Sequence, residues 1–321
     1  MEKRKNKTCI KSIGMINMSR GFVTIATGDE RYYQMAWNLV RSYRDNANES
    51  MVKFAIIADR KNKYTEEFDD VVVLSNPSFS WMDKMRILDS CPYDENIFID
   101  ADCLVYRDIT YWWDLFSQCD DFSCYGKVLP LYATDGWFTK DSVPGYNIHY
   151  ITHLHGIAYY VRKTEKIEQL KHLCEKIITD YSKLEFKFFN DRIADEPVFA
   201  LAMAVMNFKP IQKKPDSYCF KPYCTLLETD YSTRRVVFEN PGEGHVEGSD
   251  IVHWSNGNTQ KAQYRFEVDK LNASIKNRNS VLPFRKIIYE LHDKRIEKQQ
   301  RISYLSKRVP QRILEKIHLP S

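Results

Sequence analysis

Two aspartates, Asp100 and Asp102, stand one residue apart at the end of an apolar run in IFIDADCLV, residues 97–105. Charged side chains are rarely left unpaired in such surroundings. Three uses fit the pair: ordinary hydrogen bonding at a strand end, a metal site, or the nucleophile and acid of a phosphatase. Residues i and i+2 of a strand point to the same side, so both carboxylates can face one ion. Carboxylate oxygens suit Mg²⁺ and Mn²⁺, which complete their shells with substrate phosphates and water.

The segments before these aspartates alternate between apolar strands and amphipathic helices. FVTIAT, VKFAIIAD, VVVLS and NIFIDAD predict four buried strands at residues 22–27, 52–59, 71–75 and 96–102. Helices are predicted after Gly28 and, with Ser80 as N-cap, over residues 81–89. Nearly all-apolar strands of this kind predict an α/β fold with a mostly parallel central sheet flanked by helices.

Polar residues follow three of the predicted strands: Thr27 and Gly28, Asp59, and the Asp100–Asp102 pair. Ligands of parallel sheets bind at the carboxyl ends of the strands. We therefore expect these residues to form one site.

The second half of the chain predicts a strand over residues 156–161 and a helix over 164–181. A further helix begins at DEPVFALAMAVM, with Pro197 in its first turn. A loop is expected over residues 240–248, with His149 and His153 in loops and His155 either structural or on the acceptor side. Trp112 and Trp113 are expected to pack in the core.

The eight cysteines include no Cys-x-x-Cys pair, which favours reduced structural thiols and a cytoplasmic protein. No stretch has the ~20 apolar residues of a membrane span, and the basic N-terminus lacks the apolar core of a signal peptide. We divide the chain into a polar arm (1–20), a body (21–270) and a basic, helical extension (271–321), with a hinge over 270–280.

The extension carries most of the positive charge. Residues 285–321 contain ten basic and four acidic residues, so they contribute +6 to a total of +4 and leave −2 for the rest. Basic and apolar residues alternate there, which is typical of segments that lie on anionic membranes. The alternatives are a helix folded back on the body or one that mediates oligomerisation. Nucleic-acid binding is not expected, because no recognised motif accompanies the charge.

Five segments, in order, resemble those of the family-8 glycosyltransferases of the GT-A fold. This group includes bacterial lipopolysaccharide galactosyl- and glucosyltransferases and glycogenin. The resemblance covers residues 21–258 and is carried by VTIATGDERYYQMAWNLVRSY, IFIDADCLVYRDI, LHGIAYYVRK, DEPVFALAMA and IVHW. Two segments depart from the family pattern. His253 lacks the family's Pro-Trp ending, and the first strand ends in Ala-Thr-Gly without the usual acidic residue and asparagine.

The resemblance implies a metal-dependent transferase that moves a sugar from a UDP-sugar to a glycan or lipid-linked acceptor with retention of configuration. Such reactions build surface polysaccharide or lipopolysaccharide in bacteria. Asp102, Asp100 and His253 would hold Mn²⁺, or Mg²⁺, and Asp195 and Glu196 would lie beside the reacting carbon. The residues expected to contact the donor are Ala26, Thr27, Gly28, Asp59, Lys84, Asp100, Ala101 and Asp102.

Two other functions compete with this one. Phosphatases of the haloacid-dehalogenase type also use an Asp-x-Asp pair, but they place Thr or Val where this chain has Leu104, and their motif opens the first strand. The other alternative is an inactive GT-A-like domain that serves as a scaffold or binding module. Mn²⁺-dependent nucleotide affinity would argue against this inactive domain.

Overall fold

The computed structural model describes residues 18–48, 51–134, 136–138, 140–187, 192–255, 257–277 and 281–317, with side chains up to residue 304. The predicted arm, residues 1–20, lies almost wholly outside the described residues.

The described part of the chain contains twelve strands: β1 (Arg20–Ala26), β2 (Lys53–Ala58), β3 (Asp70–Val73), β4 (Glu95–Ile99), β5 (Cys103–Val105), β6 (Phe122–Pro130), β7 (Tyr150–Arg162), β8 (Tyr218–Phe220), β9 (Leu226–Asp230), β10 (Arg235–Asn240), β11 (Gly244–Glu247) and β12 (Ile251–His253). Its α-helices are α1 (Glu30–Asn46), α2 (Ile87–Ser90), α3 (Trp112–Phe116), α4 (Glu165–Asp180), α5 (Asp195–Met206), α6 (Ala262–Ile275) and α7 (Phe284–Ile317).

The central sheet has the strand order β3-β2-β1-β4-β7-β6. Strands β3, β2, β1 and β4 are parallel, whereas β7 runs antiparallel to both of its neighbours. Five of the six strands therefore share one direction. The predicted fold class, an α/β protein with a mostly parallel central sheet, is confirmed.

Helices cover both faces of this sheet. Val23 of β1 packs in one core with residues of α4 and α5, whereas its neighbour Phe22 packs in a second core with α1 and α3. Because successive side chains of a strand point to opposite faces, the all-apolar strands bury both sides. Trp112 and Trp113 belong to the second core and are buried, as predicted.

Two smaller sheets complete the body. One has the order β5-β12-β8, and the other is the antiparallel sheet β11-β10-β9. Leu104 of β5, Val252 of β12 and Leu271 of α6 meet in a third apolar cluster, which fixes the small sheet against α6. This arrangement positions His253 beside the turn that follows β4.

Several sequence predictions are wrong in detail. The helix predicted over residues 81–89 is a 3₁₀ helix at Trp81–Arg86 followed by α2, although Ser80 does cap it by accepting a hydrogen bond from Met82 N at 3.2 Å. The predicted loop over 240–248 contains β11, which forms a hairpin with β10. His153 lies within β7 rather than in a loop, because that strand starts at Tyr150.

The C-terminal extension is helical through α7, as expected. A hinge was predicted over residues 270–280, but its first residues are helical: α6 continues to Ile275, and Leu271 is completely buried. The division of the chain at residue 270 stays a prediction. None of the described helices is both long enough and apolar enough to cross a membrane.

Candidate active site

The carboxyl ends of β1, β2 and β4 meet at one edge of the central sheet, where a cleft of about 1340 Å³ opens. Nine of the eleven predicted site residues line this cleft: Ala26, Thr27, Lys84, Asp100, Ala101, Asp102, Asp195, Glu196 and His253. Gly28 and Asp59 contact each other beside Thr27 and do not form part of its wall.

The aspartate pair lies in a turn between β4 and β5 rather than on a strand. Cys103 N donates to the carbonyl of Asp100 at 3.3 Å, which closes this turn. We expected Asp100 and Asp102 to point to the same side as residues i and i+2 of one strand, and this expectation is wrong because neither residue lies on a strand. Both carboxylates still converge, because β5 pairs with β12 and sets Cys103 opposite His253.

His253 contacts both aspartates. Its Nε2 lies 2.9 Å from Asp102 Oδ1 and 3.6 Å from Asp100 Oδ2. Burial lowers the pKa of His253, but the Asp102 and Asp100 carboxylates raise it by more, so the net shift is upward. Burial opposes ionisation of Asp102, yet His253 holds the pKa of that carboxyl below its usual value. Burial raises the pKa of Asp100 to about 6.

These side chains suit a divalent cation. Ligand atoms of Asp102, Cys103 and His253 all lie within 4.8 Å of one another. Burial, together with the Asp102 charge, raises the pKa of the Cys103 thiol well above its usual value, which disfavours the thiolate. Asp102 and His253 remain, and Asp100, whose Oδ2 lies 3.6 Å from His253 Nε2, adds a second carboxylate beside them. Two carboxylates and one imidazole fit Mn²⁺ or Mg²⁺ better than a thiolate-preferring metal.

Lys84 connects the aspartate pair to the acidic end of α5. Its Nζ lies 2.9 Å from Asp100 Oδ1 and 3.2 Å from Asp195 Oδ2, and it donates to the carbonyl of Gly156 at 3.5 Å. Burial lowers the pKa of Lys84, but Asp100 and Asp195 raise it by more, so the amine stays charged. The side chain is 16% exposed and is therefore not an ordinary solvated lysine.

Asp195 and Glu196 form the first turn of α5, where the helix dipole favours negative charge. Asp195 accepts a hydrogen bond from the Tyr159 hydroxyl at 3.3 Å, and Glu196 Oε1 accepts one from Gly156 N at 3.1 Å. A Cβ at Gly156 would lie 2.7 Å from Glu196 Oε1, so a larger residue there would displace this carboxylate. Burial and the nearby Asp195 raise the pKa of Glu196 to about 7.

Asp59 organises the turn that follows β1. Its Oδ1 accepts hydrogen bonds from Gly28 N at 2.8 Å and from the Tyr33 hydroxyl at 2.5 Å, while Oδ2 pairs with Arg60 at 2.6 Å. Burial raises the pKa of Asp59, but these hydrogen bonds lower it by more, so the net shift is downward. The carboxylate thus fixes the left-handed backbone of Gly28, whose φ is 77°. A direct contact between Asp59 and the donor stays a prediction.

Phe79 and Asp83 line the cleft and were not singled out in the sequence. Phe79 adopts a left-handed φ of 54°, which is costly for a bulky residue, and the residue is 62% exposed. Buried Asp83 holds it there by accepting from Phe79 N at 3.0 Å and from Thr27 Oγ1 at 2.7 Å. The spacing Ser80-x-x-Asp83 resembles a capping box and could have drawn attention to Asp83.

His155 and Tyr218 form another part of the cleft wall. Their rings lie 5.9 Å apart, and burial lowers the pKa of His155 to about 4, so its imidazole is neutral near pH 7. Within the described residues the buried Tyr218 hydroxyl has no hydrogen-bond partner. Buried hydroxyls are normally paired, so this group is an exception. The sequence offered no signal for Tyr218.

Comparison with known proteins gives matches in structure only. No family model matches the chain, and no curated protein matches it. Among solved structures, it is similar to the galactosyltransferase LgtC in complex with donor and acceptor sugar analogs and to an active-site mutant of LgtC. Each has 10% sequence identity and a TM-score of 0.49, with 82% of this chain and 98% of the other covered. With so few identical residues, the chemistry of the cleft has to be judged from its own side chains.

Proposed function

We propose that this protein is a metal-dependent glycosyltransferase that moves a sugar from a UDP-sugar to a carbohydrate or lipid-linked acceptor. The observation that carries the proposal is the convergence of two acidic pairs on one lysine. Asp100 lies beside Asp102 and His253, Asp195 lies beside Glu196, and Lys84 contacts both Asp100 and Asp195.

In this proposal Asp102 would be the main metal carboxylate, Asp100 would lie between the metal and the donor, and His253 would be the third ligand. The metal held there would supply positive charge against the negative charge of the departing diphosphate. The present ion pair between His253 and Asp102 keeps both side chains in place for this role. Lys84 keeps the Asp100 carboxylate oriented and adds positive charge close to the donor phosphates.

Asp195 and Glu196 act at the reacting carbon. A transfer with retention passes through a transition state that resembles an oxocarbenium ion, which a nearby carboxylate stabilises. Asp195 is held by Lys84 and Tyr159, so it can present a fixed negative charge to such a cation. Glu196 has its pKa raised to about 7, so it can donate a hydrogen bond to a sugar hydroxyl when protonated.

The nucleoside would lie at the end of β1. Ala26 and Thr27 line the cleft there, and the small Ala101 leaves space beside the metal ligands. The exposed ring of Phe79 lies against Gly28, and a Cβ at Gly28 would come within 3.2 Å of it. Such a rigid aromatic surface suits stacking with a base.

The acceptor would lie toward His155 and Tyr218. Neutral His155 can accept or donate a hydrogen bond, and the Tyr218 ring forms the adjacent wall of the cleft. The basic extension would hold the protein peripherally on an anionic membrane, where lipid-linked acceptors are found.

The test is release of UDP from UDP-glucose and UDP-galactose, with GDP-mannose for comparison, in the presence of Mn²⁺ or EDTA. We expect metal-dependent release from a UDP-sugar, stimulated by a mixture of glycan acceptors. Asp102→Asn should lower the rate roughly 100-fold, because it removes the main carboxylate that would hold the metal. The control Asp180→Asn changes an acid outside the cleft that pairs with Lys183 and should leave the rate unchanged.

Metal-independent release, or full activity of Asp102→Asn, would contradict the proposal. Absence of both turnover and metal-dependent nucleotide binding would favour the scaffold alternative. Metal-dependent hydrolysis of p-nitrophenyl phosphate would favour the phosphatase.

A further inference from the structure

Helix α7 packs on α6 through polar side chains. Arg285 Nε lies 3.1 Å from Asp269 Oδ2, and Asp293 Oδ1 lies 2.5 Å from Arg265 Nη2. The residues of α7 that make these contacts recur every four positions: Arg285, Tyr289, Asp293 and Glu297. They form what we call the polar seam. Side chains four residues apart share one helix face, so a single face of α7 meets the body.

The opposite side of α7 is apolar and open. At 3.6 residues per turn, Leu291 lies almost directly across the helix from the polar seam. It is 61% exposed. The other apolar residues on this side are also more than half exposed: Phe284, Ile287, Ile288 and Ile302. A surface helix normally packs its apolar side against the core. Helix α7 has the opposite orientation, with its apolar side facing away from the body. We call this side the outward face.

Positive charge accompanies these apolar residues. Helical spacing puts Lys294, Arg295 and Lys298 on the outward face, and all three are exposed. The acidic residues between positions 284 and 304 are Glu290, Asp293 and Glu297, which lie toward the polar seam. The outward face thus combines large apolar side chains with cations and, over these positions, no acid.

We propose that the outward face of α7 docks on an anionic lipid surface, with the helix axis in the plane of the membrane. Apolar side chains would enter the boundary between headgroups and acyl chains, while the cations contact lipid phosphates. A second copy of the chain fits less well, because a two-fold interface would set the cations of one outward face against those of the other. This deepens the membrane contact of the proposed function and does not depend on the transfer reaction.

The test is co-sedimentation of the full-length protein with phosphatidylcholine vesicles and with vesicles that also contain phosphatidylglycerol. We expect binding only to the anionic vesicles, weakened by added salt. Leu291→Glu and the double variant Lys294→Glu/Lys298→Glu should each weaken this binding roughly tenfold or more. As matched controls, Val205→Glu changes another exposed apolar helix residue and Lys166→Glu another exposed lysine, and both should bind like wild type.

The melting temperature without ligand is measured on the same variants. It should match that of wild type, which shows that the body is folded and keeps this test independent of nucleotide binding. Failure of the wild-type protein to sediment with anionic vesicles would overturn the docking proposal. So would a dimer, seen by sedimentation velocity, that Leu291→Glu dissociates, since the outward face would then serve a second copy.

Discussion

Lys84 contacts both acidic pairs of the cleft. It is charged and mostly buried, with Asp100 and Asp195 on either side. A buried carboxylate that loses its partner is costly, because no water replaces the lost interaction. The lysine therefore contributes to the stability of the fold as well as to the charge balance of the site.

We predict that Lys84→Met lowers the free energy of unfolding by about 3 kcal/mol at pH 7, measured by urea denaturation. Adding Asp195→Asn to this variant should restore part of the loss, because one unpaired charge is removed. Lys171→Met is the matched control: that lysine pairs with Asp89 at 3.2 Å and is 29% exposed. Its substitution should cost less than about 1 kcal/mol. Equal losses for the two lysines would show that Lys84 has no special structural role.

The elements differ in how far they could be predicted. β1, β2, β3 and β4 were predicted because each is a short, nearly continuous apolar run bounded by turn residues. β7 was predicted only from residue 156, because its first half mixes His153 and His155 with apolar residues. The small sheet β5-β12-β8 has strands of three residues, too short to give a pattern.

The site shows the same division. Asp100 and Asp102 drew attention because they follow a recognisable strand, whereas the roles of Asp195 and Glu196 were predicted from the family resemblance. The contact between His253 and Asp102 depends on the pairing of β12 with β5. This pairing brings together residues that are far apart in the sequence. Phe79 and Tyr218 could not be found, since one depends on an unusual φ and the other on a missing hydrogen bond among the described residues.

His155 on β7 makes stability depend on pH. Burial, aided by the charges of His153, Lys213 and Lys127, lowers its pKa from 6.5 to about 4. In the unfolded chain His155 takes up a proton below about pH 6.5, whereas in the folded protein it does so only near pH 4. Its contribution to stability is therefore complete above about pH 6.5 and is lost progressively as the pH falls toward 4.

We predict that this histidine accounts for roughly 2 kcal/mol of the stability lost between pH 7 and pH 5. His155→Gln should remove that part of the loss in urea denaturation at the two pH values. His172→Gln, at a histidine whose side chain is 73% exposed, serves as the control and should leave the pH dependence unchanged. A wild-type pH dependence in His155→Gln would contradict the prediction.

The whole molecule combines a nearly neutral body with a basic C-terminal helix. The body holds the cleft at the carboxyl edge of its sheet, and α7 is attached to it through the polar seam with α6. The charge asymmetry was evident in the sequence, since residues 285–321 carry a net +6. Which side of the helix faces outward was not, because that depends on its contacts with α6.

The central claim is that the cleft is a metal-dependent site for a UDP-sugar, and thermal stabilisation tests it most directly. UDP, GDP and CMP are each added with and without Mn²⁺ to wild type, Asp102→Asn and the control Asp180→Asn. A ligand that binds only the folded state raises the melting temperature. We predict a rise of several degrees with UDP and Mn²⁺ together, retained in Asp180→Asn and lost in Asp102→Asn. No rise with any nucleotide, or an equal rise in Asp102→Asn, would contradict the claim.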